Sequence, residues 1–293
     1  MDEGEARSRV RVPRGMADRA REFAANGLLP AVPRDAATVI LVRPAPDGAG
    51  VEVFLLRRTK ALEFAPGACV FPGGSVDECD ADPAVGEEGW VGPSPAELGY
   101  LLGISAGRAR ALVRAAVRET FEESGVLLAG PSPGELVQDS VVEDRHALLD
   151  GSLSLGELLG RRGLMLRADL LTPWARWITP EISPRRFDTW FFAAALPPGQ
   201  LAGLAATTGP GATGPGESDS GTWWRPGAAL EAARAGQITL LPPTAVTLAE
   251  LAAYQDVTGI LGERRVITPL MPTVVVEDER AWLAMPEATE YPL

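Results

Sequence analysis

The sequence predicts one α/β domain with peripheral additions. Three observations carry that prediction. Short β-branched apolar runs alternate with longer amphipathic stretches of helical period. Turns rich in Gly and Pro separate them. Composition is globular, with 46% hydrophobic and 23% charged residues over 293 positions and no internal repeat, so the chain can build a sizeable core.

The elements follow in order. Residues 1–34 read as a polar N-terminal extension with one short helix near 16–25, stopped at Asn26-Gly27. Residues 37–43 form an apolar run suited to a buried strand, 44–50 a turn, and 51–56 its hairpin partner. A third extended piece, 68–71, leads into Pro72-Gly73-Gly74, and the acidic, Gly- and Pro-rich stretch 77–95 suits a surface loop. Residues 106–124 predict a long helix with Gly125 as its stop. Beyond it, 126–128 reads as a short strand, 143–159 as mixed helix and loop, and 174–179 and 186–196 as strands. The stretch 199–221 is small and polar and expected to be mobile. Trp223-Trp224-Arg225-Pro226 opens a strand-to-helix unit with helices near 227–235 and 244–254, and the tail after Thr268 is extended. The domain layout is therefore a main domain at 35–262, preceded by the extension and followed by a tail at 263–293 that packs on it.

Bulk properties exclude several classes. A net charge of −12 argues against a nucleic-acid binder, which would carry a basic face. Positive charge is nearly all arginine, Lys60 being the only lysine. No apolar run approaches the ~18 residues of a membrane helix, and the acidic first residues show no secretory stretch. Two cysteines, Cys69 and Cys79, cannot frame a disulfide scaffold, so a cytoplasmic location is expected.

The chemistry concentrates in Arg118-Glu119-Thr120-Phe121-Glu122-Glu123-Ser124-Gly125. On a helical wheel Glu119, Glu122 and Glu123 span an arc of roughly 100°, while Val113, Ala116, Val117 and Phe121 fall toward the other side. A solvated acidic face would cost only a few tenths of a kcal/mol per like-charged pair. Placement argues for more. The acids sit in the last helical turn, where the negative end of the macrodipole opposes them. A divalent cation removes both penalties, and hard oxygen ligands suit Mg²⁺ or Mn²⁺.

With Phe71-Pro72-Gly73-Gly74 upstream, this segment resembles the signature of the Nudix hydrolases, which cleave nucleoside diphosphate-linked phosphoanhydrides. That signature runs Gly, five residues, Glu, seven residues, Arg-Glu-x-x-Glu-Glu-x-Gly. Gly74 and Arg118 lie 44 positions apart, about 30 more than in the pattern, which makes 75–105 an insertion. The first glutamate has no clear counterpart: its count from Gly74 lands on Asp80, and its count back from Arg118 on Arg110. The resemblance implies a Nudix-type α/β/α sandwich around a mixed β-sheet, with peripheral helices. It implies that Glu119, Glu122 and Glu123 ligate Mg²⁺ or Mn²⁺ with help from the Gly73 carbonyl. One of the glutamates, Glu119 or Glu122, would polarise the water while Arg118 orients a carboxylate.

Further segments narrow the resemblance. Residues 55–59 with Gly67 and 71–74 resemble part of the coenzyme A diphosphatase pattern, although Glu63 and Phe64 stand near its expected arginine. The long insertion, Trp177-Ile178-Thr179-Pro180 and 186–192 resemble the type-19-like coenzyme A diphosphatases. The implied substrate is coenzyme A or an acyl-CoA, split into 3′,5′-ADP and the 4′-phosphopantetheine part. Arg57, Arg58 and Lys60 would meet the 3′-phosphate, with Gly74 and Arg186 also touching substrate. Glu217 or Asp219 would supply a further acid. Each has a plainer reading: a hairpin's solvent face for the basic residues, an Arg186–Asp188 pair on the strand's outer face, and core packing for Trp223 and Trp224. His146 reads as a surface residue. NADH, ADP-ribose, a dinucleoside polyphosphate or an oxidised nucleotide are alternative substrates, and a non-catalytic Nudix-fold binding or regulatory module is the other class. Nudix domains often pair, so the resemblance carries a homodimer as its expected assembly, with neither nucleic acid nor membrane as partner.

Overall fold

Why the sheet forms is clearest at its centre. Behind a short strand β1 (Arg9–Arg11) and helix α1 (Arg14–Asn26), the chain enters β2 (Arg34–Pro44), where Val39, Ile40, Leu41 and Val42 are all fully buried. Apolar side chains on both faces require cover on both faces, as in a helix-flanked sheet. In this computed structural model residues 9–12, 14–60, 65–82, 89–138, 142–204, 218–277, 280–286 and 289–293 are described.

The turn after β2 returns the chain as β3 (Val51–Arg58), followed by β4 (Ala68–Val70) and β5 (Gly73–Ser75). Next come α2 (Glu78–Ala81), β6 (Trp90–Val91), α3 (Pro95–Leu102) and the long α4 (Ala106–Ser124). After β7 (Ala129–Gly130) lie α5 (Val142–Leu149), α6 (Leu155–Arg162), β8 (Met165–Arg167), β9 (Thr172–Ile178) and β10 (Phe187–Ala195). The last part holds β11 (Ser218–Trp224), α7 (Pro226–Arg234), β12 (Thr239–Leu240), α8 (Pro242–Leu251) and α9 (Val257–Leu261). It ends with β13 (Pro269–Leu270), β14 (Thr273–Glu277) and β15 (Arg280–Ala284).

Among the described residues nine strands form one mixed sheet in the order β12-β4-β3-β2-β10-β9-β13, with β11 on β3 and β5 on β2. β10 runs parallel to β2 and antiparallel to β9. On one face α4 packs Leu112, Val113, Val117 and Phe121 against Val39, Leu41, Trp190 and Phe192. On the other, Leu230 of α7 and Leu248 and Leu251 of α8 cover Ile40, Leu55, Trp174 and Phe191. This is an α/β/α sandwich around a mixed sheet.

Several expectations need correction. The stretch read as a surface loop carries α2 and β6, and α3 follows it onto α4. Ser94 caps α3 with Glu97 in a reciprocal box and Pro95 sits at its start, a helix signal masked by surrounding Gly and Pro. β6 joins β8 and β7 in a separate three-stranded sheet. The strand expected at 126–128 forms no ladder: Leu127 instead exchanges hydrogen bonds with the Gln200 side-chain amide, 2.8 and 2.9 Å, which stands in for a neighbouring strand. Residues 218–221 belong to β11 rather than to a mobile loop, and 205–217 lie outside the described residues. The extended tail is a β14–β15 hairpin that takes up β1 as a third strand.

Candidate active site

α4 begins at Ser105, whose Oγ accepts the Arg108 N–H, and ends where Gly125 takes a left-handed conformation at φ 74°. Its acidic last turn lies beside β5, which pairs with β2 through Gly73↔Thr38 and Gly74↔Ala37. The approach is close enough that a side chain at either glycine would disturb it. A Cβ on Gly74 would collide with the Glu119 carboxylate, and one on Gly73 with the Ala37 carbonyl.

Arg118 organises the acids. It is 5% exposed and its Nη2 donates to Asp80 Oδ2 at 2.8 Å and to the Ser75 carbonyl at 2.9 Å. Nε shares its proton between both Asp80 oxygens at 3.2 Å, and Nη1 reaches Glu119 at 2.9 Å and Glu122 at 3.2 Å. Asp80, 2% exposed, also accepts the Asp77 N–H at 3.0 Å. Five residues separate Asp80 from Gly74, the spacing the signature sets for its first glutamate. The one-turn helix α2 carries the shorter acid inward, so aspartate does the orienting.

Electrostatically the site is overcharged. Burial pushes the Glu119 carboxyl up to about 7, Arg118 offsetting part of this and Glu122 and Asp77 adding to it. Burial likewise raises Glu122, opposed by Arg118 and reinforced by Asp77 and Asp80. Arg118 is held firmly charged: burial opposes this, and Asp80, Glu119 and Glu122 outweigh it. Glu123 accepts the Gly73 N–H at 2.7 Å. The wheel expected acids projecting freely from the core. They are instead half-buried under β5 and α2, so their charge is poorly solvated. Among the described residues no three His, Cys, Asp or Glu side chains converge as a ligand set. The donor chemistry nonetheless fits a hard divalent cation, since the half-buried carboxylates of Glu119 and Glu122 outnumber the Arg118 guanidinium bonded to them.

No family model matches the chain. It is 29% identical over 259 residues to the acyl-coenzyme A diphosphatase NUDT19 of Homo sapiens, covering 73% of this chain and 64% of that one. To the NUDT19 of Xenopus laevis it is 26% identical over 247 residues, covering 70% and 61%. The chain thus spans less than two thirds of the length of these relatives. The structure superposes on a NUDIX hydrolase from Alicyclobacillus acidocaldarius with a TM-score of 0.65 and 27% identity, over 80% of this chain and 98% of that one. The chain has a Nudix fold.

Within the Nudix fold the other sequence-predicted residues scatter. Arg57, exposed, and Arg58, half-buried, end β3, and exposed Lys60 follows them. Asp219 on β11 lies between Ser218 and Ser220, which pair with Arg58 and Arg57, so this acid and these two arginines share one end of the β3–β11 ladder. Glu217, Glu63 and Phe64 lie outside the described residues. Arg186 is not brought to the Nudix carboxylates. It is buried just before β10, donating to the carbonyls of Thr179 and Ala31 at 3.0 and 2.9 Å and to the Met271 sulfur. Nor does it pair with Asp188, whose partners are Arg176 and Arg108 at 2.6 and 2.7 Å. Trp223 is half-buried, stacked under Arg43 and against Phe54. His146 is exposed, Cys79 is exposed, and Cys69 is a buried thiol whose pKa burial raises.

The sequence reading missed Asp77 and Arg145. Asp77 touches Arg118 at 3.6 Å and could have been suspected from its place within the motif. Arg145, on α5, donates to the Glu122 carbonyl at 2.9 Å, and nothing in its surrounding sequence signals that. No described helix is long and apolar enough to cross a membrane.

Proposed function

We propose that this chain is a divalent-metal-dependent hydrolase of nucleoside diphosphate-linked phosphoanhydrides, acting on coenzyme A or acyl-CoA. The observation that carries the reading is the desolvated surplus of carboxylates on one face of α4, gathered around the buried guanidinium of Arg118. Glu119, Glu122 and Glu123, with the Gly73 carbonyl, would hold Mg²⁺ or Mn²⁺. Such an ion neutralises the diphosphate and lowers the pKa of a water it binds. Glu119 or Glu122 would then be the carboxylate that takes up the proton of the attacking water. Arg118 keeps Glu119 and Glu122 in register, and Asp80 keeps Arg118 in place.

The choice of substrate draws on the names of the curated relatives. Water would add across the phosphoanhydride to give 3′,5′-ADP and the 4′-phosphopantetheine part. Arg57 and Arg58 at the end of β3, with Lys60 just beyond it, supply positive charge suited to the 3′-phosphate. The test is to incubate the protein with Mg²⁺ and coenzyme A, acyl-CoA, NADH or ADP-ribose and to separate the products. Coenzyme A turnover, lost by orders of magnitude in Glu122→Gln or Glu123→Gln with folding intact, supports the reading. Turnover of NADH or ADP-ribose with coenzyme A untouched removes the substrate assignment. No turnover of any member by folded protein removes the enzyme assignment.

A further inference from the structure

Arg145 belongs to α5, outside the Nudix motif, yet it reaches the carbonyl end of the helix that bears the carboxylates. It is 7% exposed. Its Nε donates to the Glu122 main-chain oxygen at 2.9 Å, and its Nη1 lies 2.8 Å from where a Cβ on Gly125 would be, so the guanidinium covers that glycine. Glu123 is the acid whose charge acts on it, working against the burial that lowers its pKa to about 10. Its Nη2 is buried and has no hydrogen-bond partner among the described residues.

Stability alone does not explain such a residue. A cation at a helix C-terminus is favourable, but a buried guanidinium with an unmatched donor gives back more than that gain. An aliphatic side chain would cover Gly125 without the penalty. We infer that Arg145 is a positioning residue of the proposed metal site: it braces the last turn of α4 through the Glu122 carbonyl and over Gly125, so that the carboxylates of that turn are presented to the cation. Two arginines then act on the same turn. Arg118 holds the Glu119 and Glu122 side chains from within the motif, and Arg145 holds the backbone that carries Glu122 and Glu123 from outside it. The inference rests on the proposed metal-dependent reading of the same site.

The test compares the full-length parent with Arg145→Met and Arg145→Lys. Mn²⁺ binding to the protein alone is followed by the electron paramagnetic resonance signal of free Mn²⁺, thermal unfolding is measured beside it, and kcat and KM are taken on coenzyme A. Arg145→Met is expected to unfold at or above the parent temperature yet to bind Mn²⁺ about tenfold more weakly. Its kcat should fall while KM stays within twofold of the parent. Arg145→Lys, which keeps the charge but not the fork, should lie between. Mn²⁺ affinity within twofold of the parent, or tighter, in Arg145→Met would overturn the inference and leave Arg145 a helix cap. Should Arg145→Met not fold, Arg145→Lys carries the comparison, and parental affinity there would overturn the bracing role. A parent that binds no Mn²⁺ at all would defeat the metal-dependent reading itself, and this inference with it.

Discussion

Replacing Asp80 by asparagine removes the charge that faces Arg118 and leaves the rest of the network in place. Asp80 is 2% exposed and takes up Nε and Nη2 of a guanidinium that is itself 5% exposed. Removing one partner of a buried pair typically costs about 3–5 kcal/mol, because the other charge is left unmatched. Arg118 retains Glu119, Glu122 and the Ser75 carbonyl, so the lower end, about 3 kcal/mol, is the expectation here. The functional loss should be larger in proportion. With Asp80 neutral, Arg118 bonds more strongly to Glu119 and Glu122 and competes with the cation for them. A loss of 10–100-fold in metal affinity, typical for groups that orient ligands, is expected of about that size here. Urea unfolding gives the first quantity and a Mn²⁺ titration the second. A variant within about 0.5 kcal/mol of the parent, with unchanged Mn²⁺ affinity, would refute the claim that Asp80 sets the position of Arg118.

Three further outcomes are expected. Gly74→Ala places a methyl group against the Glu119 carboxylate, so metal binding should drop about tenfold while the fold survives; calorimetric metal titration reads it. Glu119 has a folded pKa raised to about 7, so the folded state holds a proton that the unfolded chain releases. Stability without cations should therefore fall as pH rises from about 4.5 to 7, by up to about 3 kcal/mol, and Mg²⁺ at pH 8 should restore it; the same slope in Glu119→Gln would contradict this. Asp188→Asn strips Arg108 and Arg176 of their shared partner and should cost about 3 kcal/mol in urea unfolding, while the rate per folded molecule stays near that of the parent.

Legibility followed locality. Helix α4 could be bounded at 106–124 because its apolar stripe and its glycine stop are local signals. The strands of the central sheet were visible for the same reason, as runs of Val, Ile and Leu. Asp80 could be reached by counting, but the sequence does not say that a four-residue helix turns an aspartate inward. Helix α3 was hidden because the surrounding glycines and prolines read as loop, although its Ser94–Glu97 box was there to be found. Arg186 illustrates the opposite failure: an arginine suited to phosphate had its donors already bound to carbonyls of distant segments. Arg145 meets α4 only through tertiary packing, which no local pattern encodes.

The parallel pairing of β2 with β10 joins segments about 150 positions apart, Arg34 facing Phe187. Long-range pairings of this kind close late in folding. Every residue of the carboxylate motif has therefore left the ribosome before the strand that pairs along β2 exists. Until then β2, apolar on both faces, has a bare edge open to any passing strand. A fragment ending at Gly130 would contain the whole motif and still hold no working site. The motif is compact in sequence, but it depends on synthesis of the chain through β10.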